Sequence, residues 1–139
     1  MRDENFRGQV EEIIEKDPRF PWEAYDFVKN AVTFTTVRLG RHKNKKSERH
    51  VGGGELLSGM AEYALEQFGP MAANVMENWN LKDARSIGAV IFNMIDNRLL
   101  SASPEDSISD FDVEFDFIQA LRKPFEAVKN KPVKPPIIA

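Results

Sequence analysis

The chain has 139 residues, 42% of them hydrophobic and 29% charged, with a formal net charge of −3 and no cysteine. That length suits one domain with a single core, and the missing cysteines exclude disulfides, thiolate nucleophiles and every cysteine-ligated zinc or iron–sulfur centre. Residues 1–17 lack the apolar run of a signal peptide, and no stretch approaches the roughly 20 apolar residues that span a bilayer, so the expectation is a soluble, cytoplasmic chain with no membrane partner.

Phe6, Val10, Ile13 and Ile14 recur at i, i+4, i+7 and i+8, which predicts a first helix to about Lys16. Pro18 breaks it, and Pro21 opens a second helix from its first turn. Trp22, Tyr25, Phe27, Val28, Ala31, Val32 and Phe34 cover a wide arc of that helix, so it is expected to bury more than one side. In "VTFTTVRLG" (32–40) the β-branched residues set helix against strand, and the helix reading is carried to Gly40.

A basic segment follows, and "HVGGGELL" then leads into a third helix with Leu57, Met60, Ala61, Ala64, Leu65 and Phe68 on one face. Gly69 suits a left-handed helix end and Pro70 the start of the next helix, whose stripe is Met71, Val75, Met76 and Trp79. Asn80 can take the left-handed end of that one. Asp83 is the candidate N-cap of a fifth helix over about 84–98, with Ile87, Val90, Ile91, Met94 and Ile95 as its stripe and Phe92 off it.

The period then changes. In "DFDVEFDF" (110–117) Phe111, Val113, Phe115 and Phe117 alternate with Asp112, Glu114 and Asp116, which predicts a half-buried strand pairing with Leu99–Ala102. A last short helix within "IQALRKPFEAV" and a Pro-rich tail complete the chain. The fold class expected is therefore mainly α (α+β), a helical bundle with a small C-terminal β-hairpin. Residues 1–121 would form a single globular domain and 122–139 a flexible basic tail. Three helices followed by a hairpin over residues 53–117 is also the order of a winged-helix domain.

Charge is segregated along the chain. Residues 38–50 carry +5 and residues 122–139 carry +4, so the rest of the chain carries −12.

The blocks "AYDFV" (24–28), "HVGGGELLSGMAEYALEQFGPMAANVMENWNL", "IGAVIFNMIDNRLL", "EDSISDF" and "FDF" resemble a family of short bacterial proteins found mostly in planctomycetes and verrucomicrobia, over about residues 20–118. Gly52 stands where that family usually has Ser, and Asn80 where it has Gly. The resemblance implies no activity and transfers no catalytic residue, because no function is established for the family.

The glycines invite a phosphate loop, but the Lys-Ser/Thr that holds terminal phosphates and magnesium is missing, and Glu55 opens the helix instead. A carboxylate there suits the helix dipole. Anion binding would then rest on bare backbone amides of the helix start. His50 is a lone candidate base with no nucleophile or second histidine in a recognisable relation, and His42 with His50 makes a poor metal pair. "EDSISDFDVEFD" lacks the mid-loop glycine of a calcium loop. No metal and no cofactor is expected.

The basic segment is the feature that points to nucleic acid, since clustered Lys and Arg release counterions from a phosphate backbone. Against it stand the acidic body and a fifth helix expected to show Asn93, Asp96 and Asn97 outward with only Arg98 positive. The reading preferred from sequence is a non-enzymatic interaction module with a protein partner or a second copy of itself, the acidic strand meeting the basic segments. The alternative is nucleic-acid or anion binding through Arg38, Arg41, Lys43, Lys45, Lys46, Arg49, His50, Gly52, Gly53 and Gly54.

Overall fold

Helical periodicity shapes the residues that the structure, a computed structural model, describes: 2–40, 53–100 and 116–126. Helix α1 (Arg2–Lys16) buries Phe6, Val10 and Ile13 and leaves Ile14 partly covered, as their spacing requires. Pro18 ends it, and Pro21 serves as the extended N-cap of α2 (Trp22–Arg38), one residue earlier than expected.

At the β-branched end of α2 the helix wins. Thr33, Thr35 and Thr36 each donate the hydroxyl back to a carbonyl one turn earlier, on Lys29, Ala31 and Val32 at 3.3, 2.8 and 2.8 Å. Those bonds satisfy the hydroxyls inside the helix, so nothing favours a strand.

Helix α3 (Gly53–Phe68) lies along α2. On their seam a Cβ added to Gly59 would fall 2.6 Å from Cγ2 and 2.8 Å from Cβ of Thr35. Only a residue without a side chain lets the two helices approach this closely. Gly69 then takes φ 53° and starts a 3₁₀ turn (Gly69–Met71) that leads into α4 (Ala72–Asn78).

Helix α4 and helix α5 (Ala84–Asp96) end alike. Asn80 at φ 64° donates to the Glu77 carbonyl at 3.0 Å, and Leu81 donates to the Met76 carbonyl at 2.8 Å. Arg98 at φ 62° and Leu99 repeat the pattern on Ile95 and Met94 at 3.0 and 2.7 Å. Both are Schellman ends built without glycine. The second stops α5 before residue 98, so the helix is shorter than its sequence predicts.

At its start α5 has a capping box: Asp83 accepts from the Ser86 amide at 2.8 Å, and the Ser86 hydroxyl accepts from the Asp83 amide at 3.1 Å. The expected stripe holds, with Ile87, Val90, Ile91 and Met94 buried.

The last described piece corrects the expected hairpin. Phe117, assigned by alternation to a strand, is the first residue of α6 (Phe117–Arg122), because Asp116 caps the helix by accepting from the Gln119 amide at 3.0 Å. The Phe117 ring is buried against the common core. Leu99 and Leu100 form bends rather than the partner strand, and the hairpin residues 101–115 lie outside the described residues. Among the described residues there is no strand, so the class is mainly α, and neither the hairpin nor the winged-helix order over 53–117 finds support.

Residues 122–125, expected in the flexible tail, belong to α6 and a closing 3₁₀ turn (Lys123–Phe125), and Arg122 ion-pairs with Glu77 of α4. Buried apolar side chains from α1 through α6 join in one cluster.

Candidate functional site

Of the residues expected to carry binding, Arg41, Lys43, Lys45, Lys46, Arg49, His50 and Gly52 lie outside the described residues, as does His42. Arg38, Gly53 and Gly54 are described, and the structure brings Arg38 and Gly54 together. Both line an open groove of about 450 Å³ between the end of α2 and the start of α3, with Thr35, Leu39, Glu55, Ser58, Gly59 and Glu62. The Arg38 guanidinium donates to the Glu62 carboxylate at 2.7 Å across this groove. The described wall therefore offers two carboxylates to one guanidinium, and that guanidinium is engaged.

The larger surface feature is one that apolar stripes do not announce. Phe34 and Tyr63 have ring centroids 5.2 Å apart, and Tyr63 lies 5.4 Å from Phe27. Phe27 in turn lies 6.2 Å from Phe68 and 6.0 Å from Trp79, which meet edge to face at 5.6 Å. Phe27 is buried at the centre; Phe34, Tyr63, Phe68 and Trp79 are only partly covered. The spacing of Phe27 and Phe34 on α2, at i and i+7, is the trace this strip leaves in the sequence. Tyr63 falls off the expected face of α3, so nothing local pairs it with them.

At Phe34 the strip runs into the end of α2. Phe34, Val37 and Arg38 line a hollow of about 680 Å³, and Val37 and Leu39 are 51% and 42% exposed. The strip also has a charged margin: the Tyr63 phenol is pushed up, first by burial and then by the negative charges of Asp26 and Glu66. Neither of these carboxylates has an ion-pair partner among the described residues.

A second polar group ties the opposite end of α2 to α5. Asn93, expected outward, is half-buried and donates to Asp17 at 3.0 Å and to the Tyr25 hydroxyl at 3.1 Å. Arg19 grips the same carboxylate at 2.8 and 2.7 Å, and Asn80 donates to the Arg19 carbonyl at 3.1 Å. The Arg19 hydrogen bond, with help from Asn93 and against burial, holds the Asp17 carboxyl well below the usual range. Burial pushes the Tyr25 phenol up. With every member partnered and Tyr25 wholly buried, this is a structural knot.

Among the described residues no group of three His, Cys, Asp or Glu is placed to hold a metal ion, and no helix is long and apolar enough to cross a membrane. No family model, curated protein or solved structure matches the chain. The site therefore speaks only through its own chemistry.

Proposed function

We propose that the protein is a non-enzymatic interaction module of the cytoplasm that binds another protein surface through the aromatic strip and the exposed end of α2. One observation carries this reading: four partly exposed aromatic rings are held by contact with one another and with Phe27, and they run into exposed Val37 and Leu39. Rings fixed in this way offer large contact area with little further ordering cost, which is what interface anchors need. On the residue next to Phe34, the close Gly59–Thr35 approach seats α2 against α3.

The test is capture from the native cell with wild-type protein and with Val37→Asp/Tyr63→Ala. Partners retained by the first and lost by a variant of unchanged melting temperature support the reading; identical partner sets defeat it. Light scattering at low and high salt separates self-association from a foreign partner.

A second reading has its own observation, the shared groove of Arg38 and Gly54 at the root of the basic segment. It is nucleic-acid or anion binding, with Arg41, Lys43, Lys45 and Lys46 supplying charge and the Gly52–Gly54 amides receiving a phosphate. Salt-sensitive retardation of DNA or RNA, abolished when those four residues become Ala, would favour it. No retardation at low salt removes it.

A further inference from the structure

We propose that the partner of the aromatic strip is a foreign protein that presents arginine beside apolar side chains, the guanidinium stacking on Phe34 or Tyr63 and pairing with Asp26 or Glu66. This rests on the reading of the strip as an interaction surface and names the chemistry of what it binds.

Charge is the first argument. Asp26 of α2 and Glu66 of α3 both lie near enough to Tyr63 for their negative charges to push its phenol up, after burial. Neither has an ion-pair partner among the described residues, although Asp26 is half-covered. Two cations close to them in the chain or the fold are already committed. Lys29, one turn after Asp26, holds its ammonium 4.2 Å from the Phe6 ring, toward α1, and Arg38 holds Glu62. A half-covered carboxylate without a cation is a charge left to be matched, and a partner's cation supplies what the fold does not.

Shape selects arginine over lysine. The Phe34 and Tyr63 rings stand 5.2 Å apart and are both partly exposed. A guanidinium is planar and weakly hydrated, so it stacks on such a ring and still donates to a carboxylate at the edge. An ammonium is a compact, strongly hydrated point charge and does this less well. Exposed Val37 and Leu39 offer apolar ground to the side chains beside the arginine.

A second copy of the chain is the poorer source. Arg7, Arg19, Arg38 and Arg122 each already hold a carboxylate of their own molecule, so lending one of them breaks a pair. A nucleic-acid backbone has the sign that Asp26 and Glu66 repel.

The test titrates the full chain with synthetic peptides that share leucine and glycine positions and differ only in whether arginine, lysine or glutamate fills the charged positions. Ring and amide NMR shifts report binding. The arginine peptide should shift the Phe34 and Tyr63 ring signals and bind more tightly than the lysine peptide, and the glutamate peptide should shift neither. Asp26→Asn/Glu66→Gln, at an unchanged melting temperature, should weaken the arginine peptide by about fivefold or more. Glu12→Gln/Glu15→Gln removes the same charge from α1 and should leave binding within about twofold. Phe34→Leu keeps an apolar side chain and should erase the preference for arginine over lysine. The proposal is overturned by unshifted rings at millimolar peptide, by equal affinities for arginine and lysine, or by equal losses in the two acid-to-amide variants. Self-association that Asp26→Asn/Glu66→Gln abolishes overturns it in favour of a second copy. If Val37→Asp/Tyr63→Ala loses its native partners while Asp26→Asn/Glu66→Gln keeps them all, the arginine chemistry fails and the interaction surface stands. If the peptides behave as expected while Val37→Asp/Tyr63→Ala keeps every partner, the arginine chemistry stands and the reading of those partners fails.

Discussion

The two halves of α2 are made of similar residues and meet different fates. In the first half Ala24, Tyr25, Phe27 and Val28 are buried, and the turn before the helix is fastened to α5 through Asp17, Arg19, Tyr25 and Asn93. In the last two turns Thr35 is buried, while Phe34 is only partly covered and Val37 and Leu39 are exposed. The exposed half is not slack, since Thr35 is pressed on Gly59 of α3. Apolar side chains on a firmly seated backbone are what a binding surface requires, and loose packing would have exposed them differently.

The largest expected effect breaks that seat. Gly59→Val places a branched side chain onto Thr35 and should cost about 3 kcal/mol, at the upper end of ordinary overpacking. Thr35→Ala in the same chain should recover part of it, with a coupling of at least about 0.5 kcal/mol. Denaturant unfolding of the two single variants and the double variant measures both. A neutral Gly59→Val would mean that the outer half of α2 is loosely held after all.

Next comes the knot at the other end. Asn93→Ala strips the wholly buried Tyr25 hydroxyl of its donor and Asp17 of one partner, and should cost about 2 kcal/mol. The Asp17 carboxyl also makes this half sensitive to pH. Its folded value is depressed from the ordinary 3.8, so ionised Asp17 favours the fold. That contribution is complete above about pH 5, where the unfolded carboxyl is ionised too, and it is lost as pH falls toward the folded value. Asp17→Asn should therefore lower the melting temperature at pH 7, and the gap to wild type should narrow below about pH 4. A gap that stays constant down to pH 3 would show that the ionised carboxylate is not what holds the knot.

Much of the framework was legible in the sequence because it is local. The stripes of α1 and α5 are buried as their periods require, Asp83 caps α5, and Gly69 and Asn80 take the left-handed ends assigned to them. What was not legible depends on distant residues. Asn93 looked like a solvent-facing amide until Asp17 and Tyr25, far away in sequence, claimed it. Gly59 gave no hint of its role, since its constraint is a threonine on another helix. Phe117 matched the alternation of 110–117, yet at its described end an Asp116 cap and a buried ring make it the first residue of a helix. For the candidate site the order reverses: the charged residues were easy to see and most lie outside the described residues, while the aromatic strip exists only once three helices are assembled.

The smallest effect sharpens the comparison most, because it sets two similar ion pairs against each other. Arg19 and Arg38 are both well exposed and both donate to a carboxylate at 2.7 Å. They differ in the acid: Asp17 is 23% exposed and also bound by Asn93, whereas Glu62 is 49% exposed. An arginine opposite a half-covered, shared carboxylate leaves an uncompensated charge when removed, while one opposite a solvated glutamate leaves a side chain that water satisfies. Arg19→Ala should therefore cost about 1 kcal/mol or more, and Arg38→Ala about 0.3 kcal/mol, measured side by side in urea. Equal losses would mean that the Arg38–Glu62 pair fastens the outer half of α2, and the groove it crosses would then be closed to a partner.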